Sequence, residues 1–160
     1  MYAHIYKVVN IPSAPKTRQI ICDDLESKLT DITKPLIIDC GSGWGGLCRK
    51  LAKKFPNTTV IGYEISPIPY LFSWCIQKIS PNLDYTISRQ DLFKADLKTA
   101  DILICYLSPF HMKKFEFMIK DKGLHSALLY SQGFALPNKQ ADQIWDVPYS
   151  LEKKLYRYDL

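Results

Sequence analysis

The 160-residue sequence predicts an α/β fold built on a doubly wound, mostly parallel sheet with an antiparallel edge or hairpin at its C-terminal end. Two continuous aliphatic runs, at residues 35–40 and 101–108, are typical of parallel strands that are buried on both faces. Helical patterns alternate with the strand patterns along the chain. The last two strand-like segments have little sequence between them, so no crossover helix is expected there.

Each predicted element has a local sequence signal. Prolines give residues 12–15 an extended path, and Thr17 then opens a helix whose apolar residues recur at helical spacing until Pro35. A proline near the first turn favours a helix in "SPIPYLFSWCIQKI", and Gly123 ends the helix "PFHMKKFEFMIKDK". The other elements are the strand "PLIIDC", the helix "GLCRKLAKKF", the strands "TTVIGYE" and "LDYTISR", the polar connection with helical potential "QDLFKADLKTA", and the strands "DILICYLS", "SALLYSQ", "DQIWDV" and "KKLYRYDL".

The composition is that of one ordinary globular domain, which we place at residues 1–160. Apolar residues make up 47% and charged residues 23% of the chain, which argues against a disordered protein. The five cysteines form no CxxC pair and have no zinc-site spacing, so we expect no metal and a reducing, cytoplasmic location. We recognise no signal peptide and no transmembrane segment. The net charge of +5 suits either an anionic partner such as RNA or an ordinary solvated surface.

The stretch "DCGSGWGG" (39–46) follows the first predicted strand and precedes a helix. Gly41, Gly43 and Gly46 have the spacing of a dinucleotide-binding loop. Asp39 argues against that ligand, because its carboxylate would repel a pyrophosphate bound at the start of the helix. The loop and its acid therefore favour a ligand that is positively charged at this point, and they disfavour a NAD-dependent oxidoreductase.

Acidic residues follow three successive predicted strands, and the carboxyl ends of parallel strands share one edge of a sheet. S-adenosylmethionine fits this arrangement. Asp39 suits its ammonium and sulfonium, Glu64 suits its ribose, and Asp91 with Leu92 suits its adenine. Each acid also has a simpler interpretation, in which Asp39 caps the following loop, Glu64 lies on the surface and Asp91 caps a helix. Trp44 is either a lid over this ligand or a packed aromatic residue.

Several stretches carry a resemblance to the class I S-adenosylmethionine-dependent methyltransferases, whose sheet is Rossmann-like and of the seven-stranded type. "DCGSGWGGL" resembles the acid-x-G-x-G-x-G loop of these enzymes, and "VIGYEISPIPYLFSW" resembles their second strand, ribose-binding acid and following helix. Within this superfamily the chain is similar to the small lysine methyltransferases of the ATP synthase c-subunit and adenine nucleotide translocase type. The shared features are a proline-containing segment ("IPSAPK"), a "GYE-x-x-P" stretch and a "D-L-x-x-x-D-L" connection at 91–97.

The resemblance implies a methyltransferase that uses S-adenosylmethionine. The subgroup, together with the absence of an N-P-P-Y motif after the fourth strand, favours a protein lysine as the methyl acceptor. An RNA or small-molecule acceptor and a non-catalytic binding protein are the alternatives. In similar proteins the segment before the first helix folds over the cofactor, so residues 1–16 are expected to act as a lid. The cofactor contacts implied by the motifs are Asp39, Gly41, Ser42, Gly43, Glu64, Ile65, Asp91, Leu92 and Leu107.

The acceptor side is expected at the end of the fourth strand. Tyr106, Ser108 and His111 are the candidates for positioning the acceptor or moving its proton. Tyr106 is alternatively a core residue, and His111 is alternatively an exposed residue of the first helical turn. We expect Tyr106 and Phe110 to flank the alkylammonium of a lysine by cation–π contact.

Overall fold

A computed structural model describes residues 12–151 and 153–160. The order of its helices and strands follows the predicted order closely. The helices are α1 (Pro15–Lys28), α2 (Gly46–Lys54), α3 (Pro67–Lys78) and α4 (Pro109–Lys122), with a 3₁₀ turn at Leu92–Lys94. The strands are β1 (Leu36–Asp39), β2 (Thr59–Tyr63), β3 (Tyr85–Ser88), β4 (Ile102–Cys105), β5 (Leu128–Gln132), β6 (Gln143–Val147) and β7 (Lys153–Asp159).

The strands form one seven-stranded sheet in the order β3-β2-β1-β4-β5-β7-β6. Strands β1 to β5 are mutually parallel, whereas β7 pairs antiparallel with both β5 and β6. Residues 133–142, between β5 and β6, contain no helix, and β6 and β7 form the antiparallel hairpin at this edge. The predicted fold class is therefore confirmed, including its antiparallel C-terminal edge.

The two faces of the sheet bury alternate residues of the same strands. In β1, Ile37 packs with α1 and α2 on one face, and Ile38 packs with α4 on the other. In β4, Ile104 and Leu103 divide in the same way, and all four β4 residues are buried. This alternation follows from the two-residue period of a strand, and it explains why both faces demand aliphatic side chains.

Helix α1 begins at Pro15, two residues before the predicted Thr17. Proline is tolerated at this position because the backbone N–H groups of the first helical turn make no hydrogen bond within the helix. A partly buried network ties this helix to β5 and β7. The Asp24 carboxylate accepts a hydrogen bond from the Tyr130 hydroxyl at 2.6 Å and from Arg157 Nη1 at 2.9 Å. These contacts attach the C-terminal half of α1 to the two strands.

Two further details differ from or refine the sequence prediction. The polar connection at 90–100 forms only the short 3₁₀ turn and no longer helix. Helix α4 ends as predicted at Gly123, whose φ of 65° lies in the left-handed region that glycine adopts without strain. Within the described ranges, none of the helices has the length and apolar character needed to cross a membrane.

Candidate active site

A cavity of about 300 Å³ opens at the carboxyl ends of the parallel strands, where ligands bind in sheets of this kind. Every predicted cofactor contact lines this cavity: Asp39, Gly41, Ser42, Gly43, Glu64, Ile65, Asp91, Leu92 and Leu107. The acceptor-side candidates Tyr106, Ser108 and His111 line it too. Pro12 and Ser13, from the segment expected to form a lid, also contribute to the wall, while residues 1–11 of that segment lie outside the described residues.

Asp39 is a buried acid at the mouth of the glycine loop, with 4% of its surface exposed. Burial raises the pKa of its carboxyl from 3.8 to about 7, and the nearby charge of Glu64 adds to this effect. Hydrogen bonds from the Cys48 thiol, at 3.7 Å, and from the Gly41 backbone act in the opposite direction. The Gly41 contact is the one that the capping interpretation of Asp39 requires. No lysine or arginine of the described residues forms an ion pair with this carboxylate.

Glu64 directly follows β2 and is 3% exposed, so its interpretation as a surface residue is wrong. Both carboxylate oxygens accept backbone hydrogen bonds. The Gly43 N–H donates to Oε2 at 2.8 Å, and the Ser66 N–H donates to Oε1 at 2.6 Å. Glu64 thus connects the glycine loop after β1 to the start of α3, and it holds both against the cavity.

Asp91 performs the helix-capping role that the sequence allowed. Its Oδ1 accepts a hydrogen bond from the Phe93 N–H at 3.0 Å at the start of the 3₁₀ turn. The same side chain is half-buried and lines the cavity beside Leu92. Capping and cavity lining are compatible here, because a carboxylate has acceptor capacity beyond one hydrogen bond.

The wall beyond β4 is aromatic and carries hydrogen-bonding side chains. Ser108 Oγ lies 2.8 Å from His111 Nδ1, and the His111 ring stacks on Phe93 with 6.0 Å between ring centroids. His111 is half-buried, so it is not the exposed residue of the alternative interpretation, and half-buried Tyr106 lies outside the fully buried core. The prediction for Phe110 is wrong: this side chain is 76% exposed and does not line the cavity. Successive helical residues point in different directions, and here the inward position belongs to its neighbour.

Trp44 is a packed aromatic residue that also lies in the cavity wall. It lines the cavity, and its ring also packs edge-on against Phe72 of α3, with 5.3 Å between the ring centroids. Helix α3 leaves several large apolar side chains exposed around this contact, among them Ile68 and Leu71.

The polar residues of the cavity wall that were not predicted from the sequence include Arg18 and Gln132. Arg18 of α1 lies against the start of α2, with Nη1 only 2.9 Å from the position that a Cβ on residue 46 would occupy, so Gly46 makes this approach feasible. Gln132, the last residue of β5, is 2% exposed and contributes its amide to the opposite part of the wall. Neither residue belongs to a recognisable motif, and both reach the cavity only through the packing of distant elements.

Comparison with solved structures shows which proteins share this fold. A crystal structure of an RNA methyltransferase from Salinibacter ruber, in complex with S-adenosyl-L-homocysteine, is similar with a TM-score of 0.76 and 18% identity, and 92% of each chain is covered. A precorrin-6y C5,15-methyltransferase from Geobacter metallireducens is similar with a TM-score of 0.61 and 14% identity, over 82% of this chain and 69% of that one. The fold is that of S-adenosylmethionine-dependent methyltransferases.

The family is defined by the sequence. The model of the ANTKMT methyltransferase domain matches residues 39–143, and the chain belongs to this family. A curated relative, the release factor glutamine methyltransferase of Rhodopirellula baltica, is 26% identical over 83 residues, which are 49% of this chain and 28% of the relative. The chain thus spans only 28% of the length of that relative. The predicted class of protein and its cofactor, S-adenosylmethionine, are confirmed.

The residues of the cavity suit this cofactor. A Cβ placed on Gly41 or Gly43 would meet no atom within 4 Å, so the loop leaves open space for a ligand. Asp39 is a buried acid without a cationic side-chain partner in the described chain, and the hydroxyl of Ser42 is buried without a hydrogen-bond partner there. Arg18 supplies a cation that could hold an anionic group. Among the described residues, no group of three His, Cys, Asp or Glu side chains is arranged to hold a metal ion.

Proposed function

We propose that this protein transfers a methyl group from S-adenosylmethionine to the side-chain amine of a protein lysine. The observation that carries the proposal is the continuity of the cavity, which runs from the buried acid Asp39 at the glycine loop to the wall formed by Tyr106, Ser108 and His111. Membership of the ANTKMT methyltransferase domain family and the likeness to small lysine methyltransferases support a lysine as acceptor.

In this proposal the acids of the cavity bind the cofactor. Asp39 accepts hydrogen bonds from the ammonium of its amino-acid part, and this cation returns the carboxyl to its charged form. Glu64 binds the ribose hydroxyls from its position after β2. Asp91 and Leu92 border the adenine. Arg18 pairs with the carboxylate of the amino-acid part, because its guanidinium lies against Gly46 at the start of α2 and the residue lines the cavity.

The protein contributes alignment and exclusion of water. When bound, the cofactor supplies a methyl group on a positively charged sulfur; the lone pair of the lysine nitrogen forms the new N–C bond, and the electron pair of the broken S–C bond remains on sulfur. The lysine must enter this step as a neutral amine, so its proton passes to water first. Tyr106 and the Ser108–His111 pair border the path of that proton.

Methylation of RNA is the second candidate, and one contact favours it. The Lys114 ammonium lies 4.0 Å from the centroid of the Phe93 ring, at the edge of the acceptor wall. A cation there would suit a phosphate of a nucleic acid. Only pairs of lysines, such as Lys113–Lys114 and Lys53–Lys54, occur along the sequence, and no longer basic tract accompanies this contact.

The experiment uses purified protein and S-adenosylmethionine labelled in its methyl group. An extract of cells that lack the gene is incubated with both, and protein and RNA fractions are separated before counting. Labelled methyllysine in the protein hydrolysate is the expected result. Label that appears only in RNA would replace the lysine assignment by the second candidate. Calorimetric binding of S-adenosylhomocysteine without label in either fraction would indicate a non-catalytic binding protein. Glu64→Ala serves as the control with an impaired cofactor site.

A further inference from the structure

Gln132 presents an unusual amide to the acceptor end of the cavity. It is the last residue of β5 and pairs through its backbone with Leu155 of β7. Its side chain is 2% exposed and lines the cavity. The amide oxygen Oε1 is buried and finds no hydrogen-bond donor among the described residues. Because buried polar atoms are nearly always paired in folded proteins, this oxygen requires a partner from outside the described residues.

The surroundings of Gln132 hold it in this position. On its N-terminal side, the Ser131 hydroxyl donates to the Phe134 carbonyl at 2.6 Å. Further along the same turn, the Leu136 N–H donates to the Tyr158 hydroxyl at 2.8 Å. These contacts close the turn that follows β5, so the backbone of Gln132 cannot shift easily to bring its amide to a partner within the protein.

The sheet register brings Gln132 beside the acceptor-side candidates. Cys105 of β4 pairs with Ser131 of β5, so Tyr106 and Gln132 are the next residues on the two adjacent parallel strands. Both line the same cavity. Ser108 and His111 are already hydrogen-bonded to each other at 2.8 Å. Oε1 of Gln132, in contrast, accepts no hydrogen bond from the described residues.

We propose that Gln132 positions the acceptor amine by accepting a hydrogen bond from its nitrogen. This inference rests on the proposed lysine methyltransferase function, since an amine is a donor that matches an unpaired amide oxygen. One N–H directed at Gln132 leaves the nitrogen lone pair free to point toward the methyl group. The amide cannot take up a proton at neutral pH, so its role is orientation and the proton still passes to water.

The test measures binding with defined probes and needs no knowledge of the natural substrate. Two analogues of S-adenosylhomocysteine carry nitrogen in place of sulfur, one with an aminoethyl arm and one with a propyl arm of similar size. Calorimetry gives the Kd of each analogue and of S-adenosylhomocysteine for the wild type, Gln132→Leu and Gln132→Glu. Gln140→Leu, an exposed glutamine of the same β5–β6 connection, is the matched control.

We expect the wild type to prefer the aminoethyl arm over the propyl arm by about ten-fold, as for a hydrogen bond from a charged donor. Gln132→Leu should lose this preference while binding S-adenosylhomocysteine as the wild type does, which also shows that the variant folds. Gln132→Glu keeps an acceptor oxygen and should restore the preference, and Gln140→Leu should retain it.

The outcomes separate the two proposals. A preference that persists in Gln132→Leu, or that Gln132→Glu fails to restore, overturns the role of Gln132 and leaves the lysine acceptor intact. If the wild type binds the aminoethyl and propyl analogues with equal affinity, the proposal of an amine acceptor is overturned, and so is the role of Gln132.

Discussion

Replacing Asp39 by asparagine should make the ligand-free protein more stable and its cofactor binding weaker. Burial raises the pKa of Asp39 from 3.8 to about 7. Between these pH values the folded state holds a proton that the unfolded state has lost, so the free energy of unfolding decreases as pH rises through this window. The stabilisation by this proton is complete at pH values below the pKa of Asp39 in the unfolded state. It is lost once the pH rises above the pKa of Asp39 in the folded state.

The size of this effect follows from the same two pKa values. At about 1.4 kcal/mol per pH unit, the interval from 3.8 to about 7 corresponds to about 4 kcal/mol of unfolding free energy. Asp39→Asn has a similar shape and does not titrate. The free energy of unfolding of Asp39→Asn should therefore equal that of the wild type near pH 4. At pH 8 it should exceed the wild-type value by an amount that approaches about 4 kcal/mol.

Cofactor binding should change in the opposite direction. In the proposed site Asp39 accepts a charge-assisted hydrogen bond from the ammonium of the cofactor, which contributes about 1.5 to 3 kcal/mol. Asp39→Asn should thus weaken the binding of S-adenosylhomocysteine at pH 8 by about ten-fold to over a hundred-fold.

Urea unfolding at pH 4 and pH 8 measures the first effect, and calorimetry at pH 8 measures the second. Asp84→Asn is the matched control, because this aspartate is exposed and precedes β3 at the opposite edge of the sheet. It should change the free energy of unfolding by less than about 0.5 kcal/mol at either pH. The reasoning is refuted if Asp39→Asn is no more stable than the wild type at pH 8, or if it binds the cofactor product equally well.

Three further predictions concern the same cavity. Glu64→Ala should weaken S-adenosylhomocysteine binding in calorimetry by about ten-fold to over a hundred-fold, since it removes a charged ribose contact; an unchanged affinity would refute the assignment of this acid. Arg18→Leu should weaken the binding of S-adenosylhomocysteine, which has a carboxylate. The variant should bind 5′-methylthioadenosine with unchanged affinity, because this ligand lacks the amino-acid part. Equal losses for both ligands would show that Arg18 does not recognise the carboxylate. Residues 13–17 should become more protected from hydrogen exchange when S-adenosylhomocysteine binds, because Ser13 lines the cavity; identical exchange in both states would rule out a lid at this segment.

The fold was accessible from the sequence because its signals are local. Aliphatic runs that lack polar alternation, such as the one that contains Ile37 and Ile38, identify strands covered on both faces. The alternation with helices then requires a parallel sheet with crossovers. The acids Asp39, Glu64 and Asp91 were found for the same reason, because each ends a strand or closely follows one and the topology brings such positions to one edge.

The remainder of the site depends on contacts between residues that are distant in sequence. Arg18 reaches the cavity because α1 packs against the start of α2, and no local pattern encodes that contact. Gln132 faces the acceptor wall because β4 and β5 pair in one particular register.

By itself, the sequence determined the α/β class, the glycine loop and the acids that follow the first strands. Only the tertiary structure decided how these groups are used. Burial, which depends on every surrounding element, raises the pKa of Asp39 to about 7 and turns Glu64 from an apparent surface residue into a buried acceptor of two backbone N–H groups. The direction of each side chain at the start of α4 likewise places His111 in the wall and leaves Phe110 exposed. The physical reason is that strand periodicity and turn chemistry act over a few residues, whereas desolvation and side-chain direction depend on the packing of the whole domain.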